Sequence, residues 1–210
     1  MNEMEKELSE SFRACRRLID FLEEEAWPTL LAISTAIYEC LKAGGTVYTC
    51  GNGGSATQAT HFAAELVGRF HKKDKRALPV FALADNTAVT TAISNDYSFD
   101  EVFARQLDGL GRRGDCLLAL STSGNSENIV RACRTAKKKG LTVLAFTGRG
   151  GGKIATLCDS ILMIPDPDTP RIQEAHLVSL HTVCWLIERK LFDLDPVPVE
   201  ATIPAAHKPS

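Results

Sequence analysis

The stretch Thr46-Val47-Tyr48-Thr49-Cys50-Gly51-Asn52-Gly53-Gly54-Ser55 decides the fold. A short β-rich run, Thr46–Cys50, ends in a glycine cluster, and a helical pattern opens directly behind it over 55–70. Glycines let a backbone turn tightly and come close to a ligand. The N-terminus of the following helix offers free N–H groups and a positive dipole, which suits an anion. Strand, glycine turn, helix is the opening unit of a parallel α/β sheet.

The same alternation continues outward from there. Apolar runs at Leu78–Leu83, Cys116–Leu120, Leu141–Thr147 and Ser160–Ile164 read as strands. They are nearly unbroken in apolar residues, as strands covered on both faces are. Helical stretches at 87–93, 99–111, 127–139, 153–157 and 171–192 separate and follow them. Upstream, residues 2–26 and 29–43 read as two helices separated by Pro28, with Leu8, Phe12, Cys15, Ile19 and Leu22 recurring at helical spacing. The expectation is an α/β three-layer sandwich: a five-stranded parallel sheet flanked by helices, with an N-terminal helical extension. Residues 1–192 form one domain, and 193–210 form a proline-rich tail that is extended or disordered.

Composition narrows the function. The 210 residues are 44% apolar and 24% charged, ordinary for a globular protein and unlike a disordered chain. With 26 acidic against 24 basic residues the net charge is -2, so a general affinity for nucleic acid or an anionic membrane is not expected. No window reaches the ~18 unbroken apolar residues of a membrane helix. The acidic start, Met1-Asn2-Glu3-Met4-Glu5, does not read as a signal peptide. Seven cysteines without a Cys-x-x-Cys pair, most of them in apolar runs, read as reduced and buried, in a cytoplasmic protein. The charged segment from Phe70 to Arg76 reads as a solvated turn.

A second loop carries chemistry. Ser121-Thr122-Ser123-Gly124-Asn125-Ser126 stands between a strand and a helix, with four hydroxyls in six residues. Hydroxyls and N–H groups at a helix N-terminus form a phosphate cradle. One of them, Ser126, could equally serve only as a helix cap. A P-loop is excluded, since no Gly-Lys-Ser/Thr follows. The spacing Gly51-x-Gly53-x-x-Ala56, with Asp85 after the next strand, fits a dinucleotide fingerprint only loosely. His61 and Glu65, four apart, share a helix face; they form either an ordinary polar pair or a site for a metal or a proton. The last helix holds Gln173, His176 and His181. Eight residues put Gln173 and His181 on one face but ~12 Å apart along the axis. His181 sits among apolar neighbours, as a core histidine would.

Together, Gly51–Ser55, His61-x-x-x-Glu65, Asn95-Asp96, Ser121–Ser126, Arg171-Ile172-Gln173-Glu174-x-His176 and His181 resemble the sugar isomerase (SIS) family, and within it the phosphoheptose isomerases. The resemblance runs from about residue 5 to 192 with spacing kept. It implies conversion of sedoheptulose 7-phosphate to D-glycero-D-manno-heptose 7-phosphate, the opening step toward ADP-heptose for the lipopolysaccharide core. It implies a cytoplasmic homotetramer with sites at subunit interfaces. Substrate would be bound by Asn52, Gly53, Gly54, Ser55, Glu65, Asn95, Asp96, Ser121, Thr122, Ser123, Ser126 and Gln173. One zinc ion (Zn2+) per subunit would be held by His61, Glu65, Gln173 and His181. Glu65 and His181 would be the catalytic pair, although zinc held by both would compete with their work as bases. Because Gln173 and His181 are so far apart along one helix, Glu65 and His181 of one site are expected from different chains. The rival reading is a non-enzymatic relative that binds the bacterial replication initiator; in such relatives the carboxylate at the position of Glu65 is replaced.

Overall fold

The computed structural model describes residues 2–194, so the proline-rich segment from 195 onward lies outside the described residues. Five strands form one sheet: β1 (Val47–Cys50), β2 (Val80–Ala82), β3 (Cys116–Ser121), β4 (Thr142–Thr147) and β5 (Ser160–Met163). Their order is β2-β1-β3-β4-β5, and every neighbouring pair is parallel.

Alternation of side chains splits the core in two. On one face Val47, Cys116, Leu118, Leu144 and Phe146 pack with α2 (Trp27–Lys42), α3 (Gly54–Val67) and α7 (Thr169–Phe192). On the other, Tyr48, Leu117, Ala119, Val143 and Ala145 meet α4 (Thr87–Asp96), α5 (Ala104–Leu110) and α6 (Glu127–Lys139). The three layers follow from strands that are apolar on both faces, and the expected α/β sandwich is the fold observed.

Several details differ from the sequence reading. Pro28 does not separate the first helices. A π-helical turn, Leu22–Ala26, joins α1 (Glu3–Phe21) to α2, and Pro28 falls in the first turn of α2. The wider turn ahead of it accommodates the missing N–H and the ring. The stretch 99–111 divides into a 3-10 turn, Phe99–Glu101, and α5, and 153–157 belongs to a 3-10 turn, Gly152–Leu157. The apolar stripe of α1 is largely uncovered by the chain itself. Leu8 and Phe12 are about two-thirds exposed, at 60% and 66%, and only Leu18 of this helix is buried.

The segment 70–76 is a turn with His71, Lys73, Asp74 and Arg76 exposed, as expected, but its backbone and Lys75 are also tied to the protein interior. Glu188 of α7 is fully buried, and its carboxylate accepts the backbone N–H of Phe70 (3.2 Å), His71 (2.8 Å) and Lys72 (2.9 Å). Lys75 turns inward as well, donating to the carbonyl of Leu66 and lying 3.7 Å from Glu188. A buried carboxylate needs such partners, and here the loop supplies them.

Candidate active site

The sheet order reverses between β1 and β3: from β1 the chain goes out to β2, then returns to β3 on the other side. Loops leaving the C-terminal ends of two such strands diverge and open a crevice, where α/β sheets bind ligands. The glycine loop after β1 and the hydroxyl loop after β3 flank that crevice.

Both loops depend on glycine. Gly53 has φ +53° and ψ -123°, a conformation open only to glycine, and it is the N-cap residue just before α3. At Gly51 a Cβ would meet the backbone of Ser55 at 2.5 Å. Gly124 has φ +64°, and a Cβ there would stand 2.0 Å from the carbonyl oxygen of Gly151. The turn Gly151-Gly152, also at positive φ, is thereby packed against the hydroxyl loop. The sequence reading passed over this turn, although its run Gly150-Gly151-Gly152 was a signal.

The hydroxyls are differently employed. Ser121 is buried, and its Oγ accepts the N–H of Gly124 at 3.1 Å; Ser123 Oγ accepts that of Asn125 at 3.1 Å. Ser126 is the N-cap of α6 by position, yet its side chain makes no cap hydrogen bond. The capping alternative is therefore not realised. Asn128, in the first turn of α6 and buried, exchanges two 2.9 Å amide hydrogen bonds with Asn52. That reciprocal pair ties the two loops together across the crevice. Sequence reasoning missed Asn128, because an asparagine in the first turn of a helix is unremarkable on its own.

Helices α3 and α7 lie side by side and bring the titratable residues together. His61 Nε2 is 2.8 Å from His181 Nε2 and 3.4 Å from Glu65 Oε1. One potential ligand atom from each of the three lies within 4.8 Å of the others. His181 is half-buried at this cluster and is not a core histidine. His176 is the core one. Its Nε2 donates to the carbonyl of Thr147 at 3.1 Å, and Nδ1 is buried without a partner. Thr147 O can only accept, so the ring is the neutral Nε2–H tautomer.

Two imidazoles and one carboxylate are a donor set able to hold a divalent metal ion. Gln173 stands eight residues before His181 on α7. It lies against the glycine loop, with Nε2 3.5 Å from Ser55 Oγ, where any Cβ on Gly54 would meet it at 2.7 Å. Gln58 of α3 donates to its backbone carbonyl. The ~12 Å rise along α7 between Gln173 and His181 does not separate Glu65 from His181, which α3 and α7 bring together. The geometric premise for placing Glu65 and His181 in different chains is overturned, since one chain gathers both. Asn95 and Asp96 end α4, are exposed, and bond to one another at 2.8 Å; no hydrogen bond among the described residues ties them to either loop. Asp85 accepts from Thr60 on α3.

Burial pushes the His176 pKa down from 6.5 to about 4. In the unfolded chain this histidine takes up a proton near pH 6.5, and in the folded protein only near 4. Stability is therefore full above pH 6.5 and falls as the pH drops through this window, by about 3 kcal/mol at its lower end. His176→Gln, which keeps a donor to Thr147, is expected to flatten the decline in urea midpoint between about pH 7 and 4. An unchanged slope would assign the acid lability to other groups.

The cysteines are all free. Five are buried, and Cys15 and Cys158 are half-buried. No helix among the described residues is long and apolar enough to cross a membrane.

Comparison with known proteins agrees with this geometry. The SIS domain model matches residues 11–148. A phosphoheptose isomerase of a Nitratiruptor species is 45% identical over 188 residues, covering 90% of this chain and 98% of its own length. The solved phosphoheptose isomerase GmhA of Neisseria gonorrhoeae superposes with a TM-score of 0.83 at 39% identity, over 88% of this chain and 98% of that one. The phosphoheptose isomerase of Francisella tularensis gives 0.85 at 32% identity, over 90% and 100%. By these matches in sequence and fold, the chain belongs to the SIS-domain family and, within it, to the phosphoheptose isomerases.

Proposed function

We propose that this chain isomerises sedoheptulose 7-phosphate to D-glycero-D-manno-heptose 7-phosphate through an enediol. The observation that carries this is the convergence of His61, Glu65 and His181 between α3 and α7, in a chain whose crevice is flanked by the glycine and hydroxyl loops. Moving a proton between C1 and C2 needs a base at carbon and an acid at oxygen. Glu65 takes the carbon-bound proton and returns it to the adjacent carbon. His181 serves the oxygens, giving a proton to the carbonyl and taking one from the hydroxyl. Ser121, Thr122, Ser123 and Ser126, with the N–H groups opening α6, hold the phosphate. Asn52, Gly53, Gly54 and Ser55, together with Gln173, Asn95 and Asp96, hold the sugar hydroxyls.

The donors of His61, Glu65 and His181 suit a zinc ion, whose chemistry when bound is to polarise the substrate carbonyl and stabilise the enediolate. Gln173, on the same helix as His181, is the fourth ligand in this reading. A homotetramer is supported by the exposed apolar stripe of α1, because uncovered faces of this kind mark association surfaces. A cytoplasmic setting is supported by the free cysteines. Glu65 argues against the non-enzymatic, initiator-binding reading.

The test is incubation with sedoheptulose 7-phosphate, with chelator and with added zinc, while the aldose is followed. No aldose under either condition overturns the reading. The hydroxyl loop gives a sharper prediction. A charge-assisted hydrogen bond is worth about 1.5–3 kcal/mol, so Ser126→Ala should weaken binding of the phosphorylated sugar roughly 10- to 10²-fold. Unphosphorylated sedoheptulose should be unaffected. Ser121→Ala should weaken both sugars, because Ser121 also holds the turn through Gly124. Equal loss for both sugars in Ser126→Ala would make that residue structural.

A further inference from the structure

The buried Glu188 is far too well partnered to be an accident of packing, and the function stated above does not use it. Its two carboxylate oxygens take three consecutive backbone N–H groups, those of Phe70, His71 and Lys72. Lys75 closes the loop over the same carboxylate. Glu188 lies on α7 seven residues beyond His181, two helical turns along one face. The loop it holds runs back toward that histidine. The Phe70 ring stacks on the His181 imidazole, with centroids 5.7 Å apart and planes at 30°. His181 also meets the His61 ring at 5.0 Å, edge-on. The imidazole is thus held by both Phe70 and His61.

We propose that Glu188 is a positioning residue for the isomerisation: by clamping the backbone of residues 70–72 it sets the Phe70 ring against His181 and fixes the imidazole at the angle from which it meets Glu65 and the substrate. This rests on His181 belonging to the working site. The physical need is clear from the chemistry. A histidine that handles oxygen protons must be oriented to a fraction of an ångström, and a misplacement of ~1 Å costs up to ~10²-fold in rate. A helix side chain with only one ring neighbour would swing about χ1 and χ2. A second ring, fixed by a backbone clamp, removes that freedom. The clamp must be a carboxylate, because three N–H donors converge on it. An amide in its place offers one acceptor oxygen and turns an NH2 toward a donor.

The test compares wild type with Glu188→Gln, Glu188→Asp, Phe70→Leu and His181→Ala. Turnover and KM are measured beside the carbon-bound ring-proton resonances of His181. Those resonances feel the ring current of Phe70, and a purely structural role for Glu188 would not move them. In folded Glu188→Gln, kcat is expected to fall about tenfold with KM nearly unchanged. The His181 resonance should move in the same direction as in Phe70→Leu, whose leucine has no ring current. Glu188→Asp should recover some of both effects. The double variant Glu188→Gln/Phe70→Leu should be no slower than the slower single, since both act along one path. Should Glu188→Gln fail to fold, Glu188→Asp and Phe70→Leu carry the same comparison. Wild-type kcat with an unmoved His181 resonance in folded Glu188→Gln overturns the proposal, as does wild-type kcat in Phe70→Leu where Glu188→Gln does not fold, and so do additive losses. If His181→Ala is dead while this happens, only the positioning role falls. If His181→Ala is fully active, the assignment of the site falls with it.

Discussion

Glu65→Gln is expected to leave a folded protein that turns over at least ~10²-fold more slowly, the usual cost of losing a general base. Glutamine matches the shape of the side chain and can accept a hydrogen bond from His61, so the α3 surface is little disturbed. What it cannot do is take a proton from carbon. The position is suited to that work: Glu65 is half-buried, at 22% exposure of its side chain, and lies 3.4 Å from His61. An amide is also a poorer partner for a cation than a carboxylate, so zinc content should be measured on the same preparation. Loss of turnover with zinc retained marks Glu65 as the base. Loss of both that added zinc reverses would make it mainly a ligand. Near-normal turnover in a folded, zinc-loaded variant would remove Glu65 from the mechanism.

The fold was legible because its signals are local and repeated. Every strand is a short run of apolar residues closed by a turn, and each helix is amphipathic or buried over several turns. The reading faltered where a local pattern depends on distant partners. Pro28 is a stop signal in isolation, and only the π turn before it lets the helix pass. Phe70 to Arg76 is largely exposed, as its charges suggest, but its grip on the interior comes from Glu188, more than a hundred residues later. The stripe of Leu8 and Phe12 was readable as apolar, but no sequence pattern tells whether a helix face is covered by its own chain.

At the site, residue types were easier to foresee than distances. The glycines and hydroxyls announce themselves, because positive φ and helix-terminal anion binding each call for particular residues. Asn128 was invisible, since its role exists only through Asn52 on another strand's loop. Spacing along α7 fixes the rise between Gln173 and His181, but it says nothing of Glu65, which reaches His181 from a different helix, α3.

That correction reverses an expected result. When inactive Glu65→Gln subunits are mixed with inactive His181→Ala subunits, by co-expression or reversible dissociation, the mixture should stay inactive. His61, Glu65 and His181 are presented by one chain, with the two Nε2 atoms 2.8 Å apart. In a hybrid, each site then keeps either His181 without the carboxylate of Glu65, or Glu65 without the imidazole of His181. Neither arrangement has both groups. Hybrids of wild type with Glu65→Gln, at matched ratios, provide the comparison and should be active in proportion to their wild-type subunits. Native mass measurement would verify that mixed oligomers have formed. Recovery of activity in the doubly mutant hybrid, on the order of one intact site per mixed interface, would mean that Glu65 and His181 meet across subunits in the working enzyme. The contact between the two histidines within one chain would then belong to a resting arrangement, and the site would have to be rebuilt around the interface.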